Sequence, residues 1–490
     1  MIQLSYLDGI LVKRLSLFLY LSLVFACPFT SKCRADWSPH VKGSVEQIYD
    51  SNIFLDPQGV KGRKSRSDFR TNLGTTIGLT NQTKYRVLSI DYSPTYSLFV
   101  KNGGESYLRH TARLDLVQDL DEHLFFYIQD HFDYNQEAQS LNQESTAVNY
   151  GREKNITNDS EMGLVYGFGP EDSVKIFYYD NRLIYLNDSN RSFERYNYVG
   201  NDDSVEYGPG AEIEYWLNVR NGLSLSYQWQ RIDYKIEPSK RVDHVDLGYL
   251  HRWSPKTLFR IDYIFDNVRS FGHLAPDYKI HQTQAGLERS ISPSLSFSIM
   301  AGYYHRSMDE MDLKSPEDIK YNFDTSKNDG FMGHLEMQYE REHWSAKMTA
   351  ESGVRLEFND YNNRGYTPYR SIRIDMNYEF SYRLNGVAGI GYTYENSPDT
   401  ATALLEKDHR VETYYASCSL TYLIKKWLQC KLSYTYNDQS ETSLRQYELG
   451  YNDHVFLFNL TAFYDWMRHG GKSKGNHDSD TRYSRATTSI

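Results

Sequence analysis

The stretch SIRIDMNYEFSYRLNGVAGIGYTY (Ser371–Tyr394) decides the fold. In its first half Ile372, Ile374, Met376, Tyr378 and Phe380 alternate without a break with Arg373, Asp375, Asn377 and Glu379. A period of two is the strand period, because successive side chains leave a pleated strand on opposite faces. Arg383–Gly386 reads as a turn. Beyond it Ala388, Ile390, Tyr392 and Tyr394 share one face, and Val387, Gly389, Gly391 and Thr393 share the other. The stretch is therefore an antiparallel hairpin with one apolar, tyrosine-ended face and one polar or small face.

Similar segments recur from residue 40 to about residue 466. In Leu223–Trp229 and Leu295–Ile299 every second residue is apolar, and in Phe259–Tyr263 charges alternate with large apolar groups. The weakest are 40–49 and 156–168. Connections alternate in length. Short ones (Asp121-Glu122, Ser254–Lys256, Ser292-Pro293, Lys425-Lys426) follow one end of the strands. Long polar ones (50–67, 135–155, 186–203, 307–329) follow the other. This is the up-and-down pattern of a membrane barrel, apolar outside and polar inside. Trp253, Trp344, Trp427, Tyr392 and Tyr394 fall near strand ends, as the aromatic girdles of such a barrel do. The expected fold is all-β: a single transmembrane antiparallel barrel of about 20 strands, with 18 as the alternative if 40–49 is only a lead-in. A split of the last strand at Asn452-Asp453 is a further alternative.

Composition agrees with this. Tyrosine (43) outnumbers glycine (31), aromatic residues make up 15% of the chain, and mean hydropathy is −0.66. No segment past the N-terminus has the ~18 continuous apolar residues of a membrane helix, and so many aromatic residues exclude a disordered chain. At the N-terminus, Lys13 and Arg14 precede an apolar core, Leu15–Phe29, and Cys33-Arg34-Ala35 ends in a small residue before Asp36. Residues 1–35 read as a secretory signal peptide; a lipoprotein signal ending at Cys27 is the alternative. Removing them deletes one acid, Asp8, but four bases, so the remainder is more acidic than the −10 of the whole chain. That argues against nucleic acid as a partner. The barrel is assigned to 36–466, and the polar residues 467–490 to a disordered tail. Cys418 and Cys430 fall on adjacent strands about four positions out of register, roughly 13 Å apart at ~3.3 Å per residue. That is too far for a disulfide.

Two further stretches carry a resemblance. YDSNIF (Tyr49–Phe54) followed by SDFRTNLGTTIGL (Ser67–Leu79), together with the closing YELGYNDHVFLFNLTAFYDW (Tyr447–Trp466), resembles the β-barrel porin type 2 family of outer-membrane proteins. The resemblance implies a single outer-membrane barrel, in a family often associated with exopolysaccharide export. The chain departs from many such barrels in running more than twenty residues past its last aromatic strand.

Candidate site residues follow from parity. Arg260, Asp262, Arg373, Asp375, Glu379 and Lys431 fall on the polar face and are the candidate lumen lining. A lining of both signs implies little ion selectivity. Asp50 and Asn52 could supply oxygen ligands to a hard cation, but the reading favoured is a turn capped by Asx side chains. The loop acids Asp309, Glu310, Asp312, Glu317 and Asp318 read as solvated. His244, His251, His281, His305 and His334 have no companion motif for hydrolysis. The function expected is a passive pore or the barrel of an envelope-polysaccharide export pathway, in the cell outer membrane, without catalysis, cofactor or metal. The partners expected are outer-membrane lipid, the assembly machinery, and small polar solutes or polysaccharide. The alternatives are a non-conducting, adhesin-like surface barrel and, behind it, an outer-membrane hydrolase.

Overall fold

A computed structural model describes residues 36–55, 66–136, 154–186, 203–235, 239–271, 277–308, 329–357, 365–397, 409–442 and 448–465. The signal-peptide and tail assignments, and the acids of 309–318, lie outside these residues.

Twenty strands follow one another in chain order. They are β1 (Asp36–Asp50), β2 (Asp68–Gln82), β3 (Arg86–Phe99), β4 (Tyr107–Asp119), β5 (Leu124–Asn135), β6 (Asn155–Gly167) and β7 (Ser173–Tyr185). Next come β8 (Ser204–Trp216), β9 (Asn221–Tyr234), β10 (Lys240–Ser254), β11 (Thr257–Ser270), β12 (Tyr278–Ser292), β13 (Leu295–Met308) and β14 (Asp329–Arg341). The last six are β15 (Trp344–Glu357), β16 (Gly365–Ser381), β17 (Leu384–Ser397), β18 (His409–Lys425), β19 (Leu428–Thr442) and β20 (Glu448–Asp465). Each pairs antiparallel with its neighbours in sequence, and β1 pairs with β20, so the sheet is one closed barrel. The strand count is twenty, not eighteen. Residues 40–49 belong to a full strand, and β20 runs unbroken through Asn452-Asp453.

Closure follows from solvent. In hydrocarbon no water satisfies a free strand edge, so every edge must pair. The outer wall shows that hydrocarbon is what it meets. Ile372, Met376, Tyr378 and Phe380 of β16 are exposed, as are Val41 and Val45, Ile176, Leu225, Leu247, Ile299, Leu432 and Phe458 around the wall. A soluble monomer rarely exposes more than a few hundred Å² of contiguous apolar surface; here the surface runs all the way round. The register makes it continuous, since Met348 of β15 faces Ile374 and Ile374 faces Ile390 of β17.

The apolar band has two aromatic edges. At the short-turn end stand Trp37, Tyr166, Tyr215, Trp253, Trp344 and Trp427, all exposed. At the other end tyrosines aim their hydroxyls away from the band. Tyr227 Oη donates to Asp243 Oδ1 at 3.1 Å, and the hydroxyls of Tyr92, Tyr263 and Tyr434 bond to His110, His281 and His454 at 2.7, 2.7 and 2.9 Å. An amphipathic ring suits a lipid–water boundary, which accounts for the abundance of tyrosine. Between these edges Val245–Trp253 and Ile372–Phe380 each supply about 9 residues, the ~9–11 a tilted membrane strand needs. The strands themselves are longer, from 12 residues in β5 to 18 in β20, so most rise past the band on the long-connection side.

Candidate functional site

The site is the inner wall. Period-2 alternation sends Arg373, Asp375, Asn377 and Glu379 inward wherever Ile372, Ile374, Met376 and Tyr378 go outward. A gap of two residues along one strand therefore puts an arginine and an aspartate side by side on the same face. Arg373 Nε donates to Asp375 Oδ2 at 2.6 Å, with a second bond from Nη2 at 3.1 Å. Arg260 Nε donates to Asp262 Oδ1 at 2.6 Å, while Gln284 caps the other carboxylate oxygen at 3.3 Å. Glu379 lies near the short turn, opposite Asn385. Lys431 is exposed on the inner wall between Thr421 and Asn459. The six residues thus lie on one face but not in one cluster.

Sequence reasoning missed most of the lining. Arg113 pairs with Asp115 at 2.7 Å and Arg109 with Asp133 at 2.8 Å. Lys347 reaches Glu336 on the neighbouring strand at 3.0 Å, and Arg355 reaches Glu395 at 3.3 Å. Lys175 lies between Glu161 (3.3 Å) and Glu212 (3.6 Å). His40 meets Asp91 at 2.7 Å, and His334 meets Glu351 at 3.1 Å. The tripeptide Arg-x-Asp was the available signal for the in-strand pairs. The cross-strand pairs needed the register. Most of these charges balance locally, and several stay wet: the Arg113 and Lys347 side chains are 61% and 51% exposed. A wall packed against a core would have buried them.

The inner face is not polar throughout. Towards the long-connection end, Ile232, Val242, Val268 and Ile280 form a buried inward-facing cluster with Tyr234, Tyr278 and Tyr304. The lining therefore changes from ion pairs to apolar and tyrosyl groups along the barrel axis.

YDSNIF closes the seam. Ser51 N donates to the His454 carbonyl at 3.0 Å, Ser51 Oγ to Asp453 Oδ1 at 3.1 Å, and His454 N to Ser51 Oγ at 2.7 Å. The Asn52 amide donates to Asp50 Oδ1 at 2.8 Å, which is the Asx turn expected of it. Ile53 and Phe54 pack on Phe99 and Tyr107. Asp68, of the Ser-Asp pair, accepts from the amides of Phe69, Lys101 and Asn102 at 2.7–2.9 Å.

Asp50 and Asp453 lie beyond the Tyr49–Phe456 edge, outside the membrane-spanning band. Burial, followed by the neighbouring Asp453 carboxylate, pushes Asp50 up from 3.8 to about 7. Folding thus places a proton on Asp50. Its contribution to stability is full below about pH 4, where the unfolded carboxyl also holds its proton, and is lost as pH rises to about 7. Asp50→Asn is expected to flatten that slope and raise the urea midpoint at pH 8. Equal midpoints for both proteins across pH 5–8 would count against a shared proton.

The five histidines fall apart. His244 bonds to Asp266 at 2.6 Å, His251 to Asn221 at 2.8 Å, and His305 to Asp329 at 2.5 Å. His281 bonds to Tyr263 and His334 to Glu351. The partner is a serine in none of these bonds.

A closed barrel with an apolar band outside and water-accessible charges inside is a porin-type protein of the cell outer membrane. A family model described as "Putative MetA-pathway of phenol degradation" matches residues 315–452, less than half of the chain. No curated protein matches the sequence. Among solved structures the chain is similar to the siderophore receptor PirA from Pseudomonas aeruginosa, at 8% identity and a TM-score of 0.47 over 86% of this chain and 80% of that one. It is also similar to OccAB2 of Acinetobacter baumannii (10%, TM-score 0.40, 88% and 98%) and to the outer membrane protein opdK of Pseudomonas aeruginosa (11%, 0.38, 87% and 99%). At these scores the likeness is of one large barrel to another.

Proposed function

We propose that this protein is a passive aqueous pore for small polar solutes, with little preference for charge and no chemical turnover. One observation carries the reading: the inner wall of a twenty-strand barrel bears charged side chains that remain accessible to water. Twenty strands about 4.8 Å apart and tilted about 40° enclose a cylinder roughly 40 Å across between backbones. Inward side chains about 6 Å long leave the greater part of that width unfilled. Eight-stranded barrels fill their interior with side chains, whereas 16–18 strands leave a channel. Because Arg373/Asp375, Arg260/Asp262, Arg113/Asp115 and Lys347/Glu336 neutralise one another in place, the wall presents no long run of one sign.

The test is conductance of the purified protein in planar lipid bilayers. Steady ohmic steps are expected, with a reversal potential close to zero under a KCl gradient. A folded, heat-modifiable barrel that stays silent would overturn the pore and favour a non-conducting surface barrel.

A further inference from the structure

The outer wall carries one row that the pore does not explain. Arg231 on β9 stands directly opposite Arg241 on β10, and Arg241 stands directly opposite Arg269 on β11. All three face outward, on the parity of Tyr227, Leu247 and Tyr263. Like charges directly opposite destabilise a sheet. Two carboxylates relieve part of the strain: Asp233 accepts from Arg231 Nε at 2.9 Å, and Asp243 from Arg241 Nη2 at 2.9 Å. Arg269 is exposed and has no partner among the described residues, and Arg241 Nε is enclosed without a hydrogen-bond acceptor. Lys279 on β12 continues the patch opposite Asn267. Asp277, whose Oδ1 accepts from Ser270 N at 2.8 Å, ends the row, so four cations face three carboxylates, on a chain whose net charge is −10.

Height decides what can meet this row. Tyr227 ends the apolar band on β9, and its hydroxyl bonds to Asp243. Trp229 comes next, with Arg241 above its ring at 5.8 Å, and then Arg231, 5.1 Å from the ring of Phe271. The guanidinium groups are thus held by aromatic rings just past the edge of the hydrocarbon, facing away from the lumen. In such barrels the longer connections face the cell exterior, so this height is that of the outer leaflet's headgroup layer. A guanidinium fork matches the geometry of phosphate and binds it through paired charge-assisted hydrogen bonds. The Arg182–Asp180 pair nearby neutralises itself.

We propose that Arg231, Arg241, Arg269 and Lys279 form a docking site for the phosphate groups of a phosphorylated glycolipid of the outer leaflet.

The test is native mass spectrometry of the full-length protein released from mixed micelles. The probes are bisphosphorylated lipid A, its dephosphorylated form and phosphatidylethanolamine. The wild-type protein is expected to retain bisphosphorylated lipid A about tenfold better than the other two, the weight of one charge-assisted hydrogen bond. Arg241→Gln/Arg269→Gln is expected to remove that preference. Arg269→Gln alone, at an exposed position without partners, weakens it without endangering the fold. Arg370→Gln, at an outward arginine on β16, four strands beyond β12, leaves it unchanged. Equal retention of all three lipids by the wild type, or equal loss in Arg370→Gln, would overturn the proposal. So would complete displacement of lipid A by millimolar inorganic phosphate, which would mark a site for the free ion.

Discussion

Deletion of Asp36–Asp50 is expected to leave no folded barrel. β1 is paired along its whole length with β2, from Asp36↔Gln82 to Asp50↔Asp68, and with β20 from His40↔Asp465 to Asp50↔Val455. Without it, β2 and β20 would have to meet. In an up-and-down barrel of twenty strands these two run in the same direction, so antiparallel closure is lost. Leaving both edges open would expose rows of N–H and C=O groups to hydrocarbon, each costing several kcal/mol. The readout is heat-modifiable migration on SDS gels, present for the full chain and absent for the deletion. A heat-modifiable deletion protein would show that 36–50 is a lead-in and that the barrel closes elsewhere.

Ile374→Arg is expected to cost about 2–4 kcal/mol, the weight of an arginine facing lipid near the bilayer midplane. Ile374 lies inside the apolar run Ile372–Phe380, flanked by Met348 and Ile390. The neighbouring change Ser371→Arg points to the inner face of the wall and is expected to cost less than about 1 kcal/mol, as surface changes usually do. Urea midpoints in lipid vesicles compare the two. Equal costs would mean that the two faces meet the same medium.

The hairpin Ser371–Tyr394 shows how far the sequence could be read. Its alternation assigned every residue of β16 between Ile372 and Phe380 to the face it occupies, because a strand has only two faces and only one can be apolar in lipid. The register of β18 and β19 was equally legible. Cys418 faces Tyr434 and Cys430 faces Tyr422, and both thiols are free. Strand 40–49 was hard to read because its outward face includes Gly43 and Gln47 and its inward face includes Ile48. Its pairing with both β2 and β20 makes it a wall strand despite that mixed pattern. YDSNIF was legible as a turn, but its role as a clasp across the seam depends on β20, some 400 residues away in the chain.

The tetrapeptide Arg-Ile-Asp-Tyr occurs twice, at 231–234 and at 260–263. By itself it determines the same local strand, with Arg and Asp on one face and Ile and Tyr on the other. In β11, Arg260 and Asp262 face the lumen, while Ile261 and Tyr263 are exposed to lipid. In β9 the faces are exchanged. Arg231 and Asp233 stand outside, above the band, while Ile232 and Tyr234 are buried in the inward cluster. The sequence alone determined that the chain is a barrel of alternating strands, because period and turn spacing are local properties. Which side of the wall a given pair faces, and at what depth in the membrane, was decided by register and by how far each strand rises past the hydrocarbon. Both are set between strands, so the identical tetrapeptides put their arginine in the lumen in one place and on the outer wall above the apolar band in the other.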